Sequence, residues 1–113
     1  MIREINDESY EREVIEPGGT VLLLAYAPWC GDCQRILPVF KDLSGLPEYQ
    51  EVCFLQTDMV KNIRTKKTLG VERYPTLCLF RNGRQVAEKV AEAPKEEQRA
   101  IIESLLRDCG STG

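Results

Sequence analysis

The sequence predicts an α/β fold, a central mixed β-sheet with helices on both faces. Three observations carry that prediction. Residues 21–27 form a continuous apolar run, which suits a strand covered on both sides, since a half-solvated strand would alternate apolar and polar residues. Helical spacing follows in Ile36, Leu37, Phe40 and Leu43 and returns in Ile101, Ile102, Leu105 and Leu106, each set marking one buried helix face. Asn82-Gly83 stands between two apolar stretches, the signature of a tight antiparallel hairpin, so the sheet must be mixed.

Taken in order, residues 2–5 read as an edge strand, 8–14 as a first helix and 21–27 as the buried central strand. A helix over 33–44 stops at Gly45 and is expected to kink at Pro38, whose ring meets the carbonyl four residues earlier. Residues 52–55 read as a second buried strand, and Asp58 is placed to cap a helix of about three turns ending before Gly70. Residues 77–80 and 85–90 pair across a turn at 81–84. Pro94 suits a first helical position, Glu96 and Glu97 favour the positive end of the helix dipole, and Cys109 continues the apolar face. The order is β-α-β-α-β-α-β-β-α.

At 113 residues, the chain is expected to form a single domain over residues 1–113 that buries roughly two-thirds of its unfolded surface. Hydrophobic residues make up 42% and charged residues 29%, values that exclude a disordered chain. A net charge of −3 argues against a nucleic-acid partner, which normally requires a basic footprint. The apolar run at 21–27 is far too short to span a membrane, and the N-terminus lacks the layout of a signal peptide, so a cytoplasmic protein is expected. The five cysteines are an odd number and histidine is absent. A secreted disulfide scaffold is therefore not expected, and the chemistry must use cysteines and carboxylates.

Trp29-Cys30-Gly31-Asp32-Cys33 falls where the central strand ends and a helix begins. Two intervening residues let one helical turn bring the sulfurs within disulfide reach, and the amides of a helix start favour a thiolate on the first cysteine. An isolated Cys-x-x-Cys can also be half of a zinc site. With no histidine and the other cysteines lying singly at 53, 78 and 109, redox chemistry is preferred and no metal is expected. Cys53 and Cys78 read as small buried hydrophobes in apolar strands, and Cys109 as a packing residue.

The chain resembles the thioredoxin family over its whole length. The likeness is carried by Ala27-Pro28-Trp29-Cys30-Gly31-Asp32-Cys33, the helix proline Pro38, Tyr74-Pro75-Thr76 and the hairpin Phe80-Arg81-Asn82-Gly83. The resemblance implies a thioredoxin fold and a protein-disulfide reductase in which Cys30 attacks a target disulfide and Cys33 resolves the mixed disulfide. The product is a redox-active Cys30–Cys33 disulfide, with no bound cofactor. In the family, the proline matching Pro75 follows a cis peptide beside the cysteines, where backbone groups pair with substrate. Trp29, Gly31, Tyr74, Pro75, Thr76 and Ala91 are the substrate-binding residues so implied. The implied partners are disulfide-containing proteins and a thioredoxin-reductase-type electron donor, a flavin enzyme using NADPH. A monomer serving electron transport and cell redox homeostasis is expected.

Several positions depart from the family pattern. Asp32 replaces the usual proline, and its carboxylate would disfavour a thiolate on Cys30 or serve as acid or base for Cys33; the alternative is a solvent-facing charge at a helix start. Leu24 matches the family's buried aspartate and Phe54 the lysine near it, so that proton route is missing. Ala91 replaces a loop glycine and implies a narrower docking surface. Residues 26–31 also look like protein disulfide isomerase, where histidine commonly comes next; Asp32 in its place removes support for a strongly oxidising couple, and a reducing role is preferred. The alternative reading is a dedicated electron carrier or interaction module for one partner.

Overall fold

A computed structural model describes residues 2–110, with only the backbone given for 108–110, so the packing expected of Cys109 lies outside the described residues. Five strands, β1 (Arg3–Glu4), β2 (Thr20–Tyr26), β3 (Val52–Asp58), β4 (Thr76–Arg81) and β5 (Arg84–Val90), form one sheet in the order β1-β3-β2-β4-β5. β1 and β2 run parallel to β3, whereas β4 runs antiparallel to β2 and to β5. The apolar run thus occupies the middle strand, and residues 21–25 are buried without exception.

The pleat of β2 divides the core into two layers, because successive side chains leave a strand on opposite faces. Val21, Leu23 and Ala25 join one cluster with Tyr10, Leu55 and Phe80. Leu22 and Leu24 join the other with Phe40, Phe54, Leu77 and Ile102. Helices α1 (Gly31–Ser44) and α3 (Lys95–Gly110) contribute to this second layer through Ile36, Val39, Leu43, Ile102 and Leu106. The first layer is closed by α2 (Ile63–Leu69), through Leu69, and by a π-helical turn at Glu11–Ile15.

The expected first helix over 8–14 is only this five-residue turn, and the edge strand is only two residues long. α1 continues through Pro38 as one helix. Asp58 does not cap α2: its carboxylate accepts from the backbone N–H of Val60 at 2.8 Å and of Lys61 at 3.2 Å, closing the turn before the helix. The helix is capped by Asp7 instead, which accepts from Thr65 N–H at 2.8 Å, Arg64 N–H at 3.3 Å and the Thr65 hydroxyl at 2.6 Å. α2 has seven residues, fewer than expected, and ends at Gly70 in the left-handed conformation, φ 69°. Pro94 sits just before α3 rather than inside it, its carbonyl accepting from Gln98 N–H at 3.0 Å.

The hairpin turn places Asn82 at φ 52° and Gly83 at φ 80°, two left-handed residues as a tight β-turn demands. Only glycine fits the second position, because a Cβ there would lie 2.7 Å from the Ile15 carbonyl oxygen.

Candidate active site

β2 delivers the chain to the carboxyl end of the central strand, and α1 starts five residues after it with Cys30 as N-cap, φ −86° and ψ 122°. In that extended conformation the Cys30 side chain folds over the first helical turn. Its Sγ accepts the backbone N–H of Cys33 at 3.4 Å, taking the role that serine or aspartate oxygen takes at most helix starts. The same thiol donates to the Tyr74 carbonyl at 3.6 Å. Cys33 lies one turn on and inward, 1% exposed, with the Ala27 backbone N–H donating to its sulfur at 3.5 Å.

Both thiols are free, and they differ in access: Cys30 is half-buried and Cys33 fully buried. Burial pushes the Cys33 thiol up to about 12; the Ala27 N–H opposes the shift and the neighbouring Cys30 adds to it. Leu24 and Phe54, the positions at which the resemblance places a proton-accepting carboxylate and a lysine, are buried in the apolar second layer.

The other expected residues fall into a rim and a floor. Trp29 is 71% exposed and meets Tyr74 edge-on, ring centroids 5.9 Å apart. Lys66 Nζ lies 5.8 Å from the centre of the Tyr74 ring. Gly31 is exposed and borders open space. Pro75, Thr76 and Ala91 are buried, so their side chains are not presented at the surface. The Tyr74–Pro75 peptide is cis, the Ala91 N–H donates to the Pro75 carbonyl at 2.8 Å, and the Thr76 hydroxyl donates to the Arg73 carbonyl at 2.6 Å. The two loops are also tied at the surface by an Arg73–Glu92 ion pair of 2.5 Å.

Asp32 is intermediate in exposure, and its carboxylate pairs with Arg35 one helical turn on. Its main-chain carbonyl accepts a hydrogen bond from Gln98 at 2.9 Å. Gln98 is the site-adjacent residue that sequence reasoning missed. Its signal was present: it stands four residues before Ile102, on the apolar face of the last helix, where a polar residue is out of pattern.

Among the described residues no group of three or more potential metal-ligating side chains occurs, and no helix is long and apolar enough to cross a membrane. An accessible thiol at a helix start, a buried thiol one turn away and the Tyr74 carbonyl beside them form an arrangement suited to thiol-disulfide exchange.

Comparison with known proteins agrees. The thioredoxin family model matches residues 1–104. The chain is 36% identical over 102 residues to a thioredoxin of Haemophilus influenzae, covering 89% of this chain and 94% of that one. It is 35% identical over 108 residues to a thioredoxin of Pseudomonas aeruginosa, covering 93% and 96%. Among solved structures, the thioredoxin Mala s 13 of Malassezia sympodialis superposes with a TM-score of 0.78 at 26% identity, covering 91% of this chain and 90% of that one.

Proposed function

The chain belongs to the thioredoxin family, and from that premise we propose that Cys30 and Cys33 are the catalytic pair with which it reduces protein disulfides. It is a thiol-disulfide oxidoreductase. The observation that carries the division of labour is the pair of contacts on Cys30 Sγ. A backbone N–H at 3.4 Å stabilises negative charge there, and the Tyr74 carbonyl at 3.6 Å marks where a substrate strand would run.

Cys30 thiolate, its proton already lost to solvent, attacks one sulfur of the target, forming a mixed disulfide and releasing the other target sulfur as a thiolate that takes a proton back from solvent. Cys33 then attacks Cys30, gives up its proton to the second departing sulfur, and leaves a Cys30–Cys33 disulfide. Two electrons and two protons pass to the target. The oxidised pair is recharged by a reductase-type donor, for which a flavin enzyme drawing on NADPH is the proposed class. Trp29, Gly31 and Tyr74 supply the substrate-facing rim, with Pro75, Thr76 and Ala91 holding the backbone beneath it. The chain is proposed to act as one domain over residues 1–113, as a cytoplasmic monomer with no bound cofactor, in electron transport and redox homeostasis. Neither nucleic acid nor membrane takes part in this proposal.

The test is Cys33→Ser incubated with a disulfide-bonded protein. A mixed disulfide mapped to Cys30 supports the order of attack, and trapping through another cysteine overturns it. A second reading, a carrier dedicated to one partner, is favoured by the Arg73–Glu92 pair, which puts charge of both signs on the surface of the two loops that flank the cis proline. Efficient reduction of several unrelated disulfide proteins would remove it.

A further inference from the structure

We propose that Gln98 is a positioning residue that strengthens the hydrogen bond to the Cys30 sulfur through the Asp32–Cys33 peptide. The inference rests on the assignment of Cys30 as nucleophile. Gln98 is 0% exposed. One side-chain atom lies 2.9 Å from the Asp32 carbonyl oxygen and 3.1 Å from the Ala91 carbonyl oxygen. Two carbonyls on one atom identify it as the nitrogen, with both hydrogens used. The Asp32 carbonyl belongs to the same peptide unit as the Cys33 N–H, which donates to Cys30 Sγ at 3.4 Å. A donor on the oxygen of an amide draws electron density toward it and makes its N–H the stronger donor, so hydrogen bonds in such a chain reinforce one another. The relay runs from Gln98 through one peptide plane to the reacting sulfur, with no charged group in it.

The second donation gives the relay a fixed mount. Ala91 accepts from Gln98 through its carbonyl and donates through its N–H to Pro75 at 2.8 Å. Gln98 therefore joins the helix start that carries the cysteines to the loop beside the cis proline. That arrangement has a cost visible at the other end of the side chain: Gln98 Oε1 is buried without a hydrogen-bond partner in the structure. A methionine of the same length would fill the space without that unpaired oxygen but would leave the Asp32 and Ala91 carbonyls without this donor, so glutamine is here for the two backbone carbonyls rather than for packing.

The experiment compares wild type, Gln98→Met and Gln98→Leu in the reduced full chain. The pH–rate profile of Cys30 alkylation by iodoacetamide is resolved from Cys33 by peptide mapping, and thermal unfolding and the redox equilibrium with glutathione are measured alongside. With the donor gone, Cys30 should react about two- to threefold more slowly near neutral pH. Its profile should move to higher pH, and the dithiol should become more reducing because the thiolate form is less favoured. Melting temperature should fall modestly in both variants, because two backbone carbonyls lose their donor. An unmoved Cys30 profile in a folded variant overturns the relay, as does a profile that moves only in proportion to lost stability across the two variants. If both variants fail to fold, Gln98 is a structural residue and the inference is overturned. If wild type itself reacts first at Cys33, the nucleophile assignment falls instead, an outcome visible before any variant is made.

Discussion

α1 and α2 start in comparable places, beyond the carboxyl ends of the adjacent parallel strands β2 and β3, and they satisfy their first amides in opposite ways. At α1 the partner is the Cys30 thiol, one residue outside the helix, at 3.4 Å from a single N–H. At α2 it is the Asp7 carboxylate, held by two backbone N–H groups and the Thr65 hydroxyl. Both starts use the same unpaired amides and the same positive end of the helix dipole. A carboxylate is charged at neutral pH and makes short bonds, so it gives stability. A thiol is a poor acceptor until it loses its proton, so the same amides act mainly on the ionised form, which is the reactive one. One helix start holds the fold and the other tunes a reaction.

The largest effect should come from exchanging the acceptor at the reactive start. Cys30→Ser retains a capping atom and should fold normally, yet turnover of a disulfide-bonded protein should fall by at least about a thousandfold. Retained turnover in that variant, measured under the same reductant, would assign the chemistry to another thiol.

At the structural start, Asp7→Ala should lower stability by about 2 kcal/mol, or roughly 8 °C in melting temperature, while leaving disulfide turnover per folded molecule unchanged. The Thr65 hydroxyl, followed by the backbone N–H groups of Thr65 and Arg64, holds the Asp7 carboxyl below its ordinary 3.8. A lowered folded value means that the contribution is present above the unfolded value and disappears as pH falls through the folded one. The gap between wild type and Asp7→Ala should therefore close in acid; a gap constant down to pH 2 would show that the loss is packing rather than charge.

The two starts were unequally legible in the sequence. The reactive one was readable because its apolar strand, its Cys-x-x-Cys pair and its amphipathic helix all lie within residues 21–45. The hairpin was readable for the same reason, since Asn82 and Gly83 carry their own conformational preference. Asp58 was mistaken for the cap of α2 because it is adjacent in sequence, whereas Asp7 reaches Thr65 across 58 positions and no local pattern announces that. The helix expected over 8–14 is shortened and widened into a π-helical turn at Glu11–Ile15, with Val14 buried in the first layer. Gln98 escaped notice because its partners, Asp32 and Ala91, come from two other segments.

In alkali the sign reverses. Burial raises the thiols of Cys33 and Cys78 from 9.0 to about 12, so above pH 9.0 the unfolded chain has lost protons that the folded chain still holds. Stability of the reduced protein should then fall as pH rises, by at most about 1.4 kcal/mol per pH unit for each thiol. Cys78→Ala should lower stability near neutral pH and flatten that slope, so that its deficit against wild type narrows in alkali, as read from denaturant midpoints between pH 7 and 11. Oxidation of the Cys30–Cys33 pair should flatten it independently. A slope unaffected by both changes would place the alkaline loss elsewhere.

The smallest effect concerns Asp32. Next to the cysteines, an isolated carboxylate would oppose charge on Cys30, but this one is paired with Arg35 one turn along the helix. Two opposite charges close together present little net field to a third, and the side chains are 30% and 48% exposed, so water and salt weaken what remains. The two single variants should move Cys30 in opposite directions. Asp32→Asn leaves the Arg35 cation alone and should speed alkylation of Cys30 by about twofold, while Arg35→Gln leaves the carboxylate alone and should slow it by about as much. The double variant should lie near wild type, and both shifts should shrink in 1 M salt. If Asp32→Asn instead slows the resolving step while Cys30 alkylation stays unchanged, the carboxylate serves Cys33 as a proton carrier, and the helix start that tunes the reaction does so at both sulfurs.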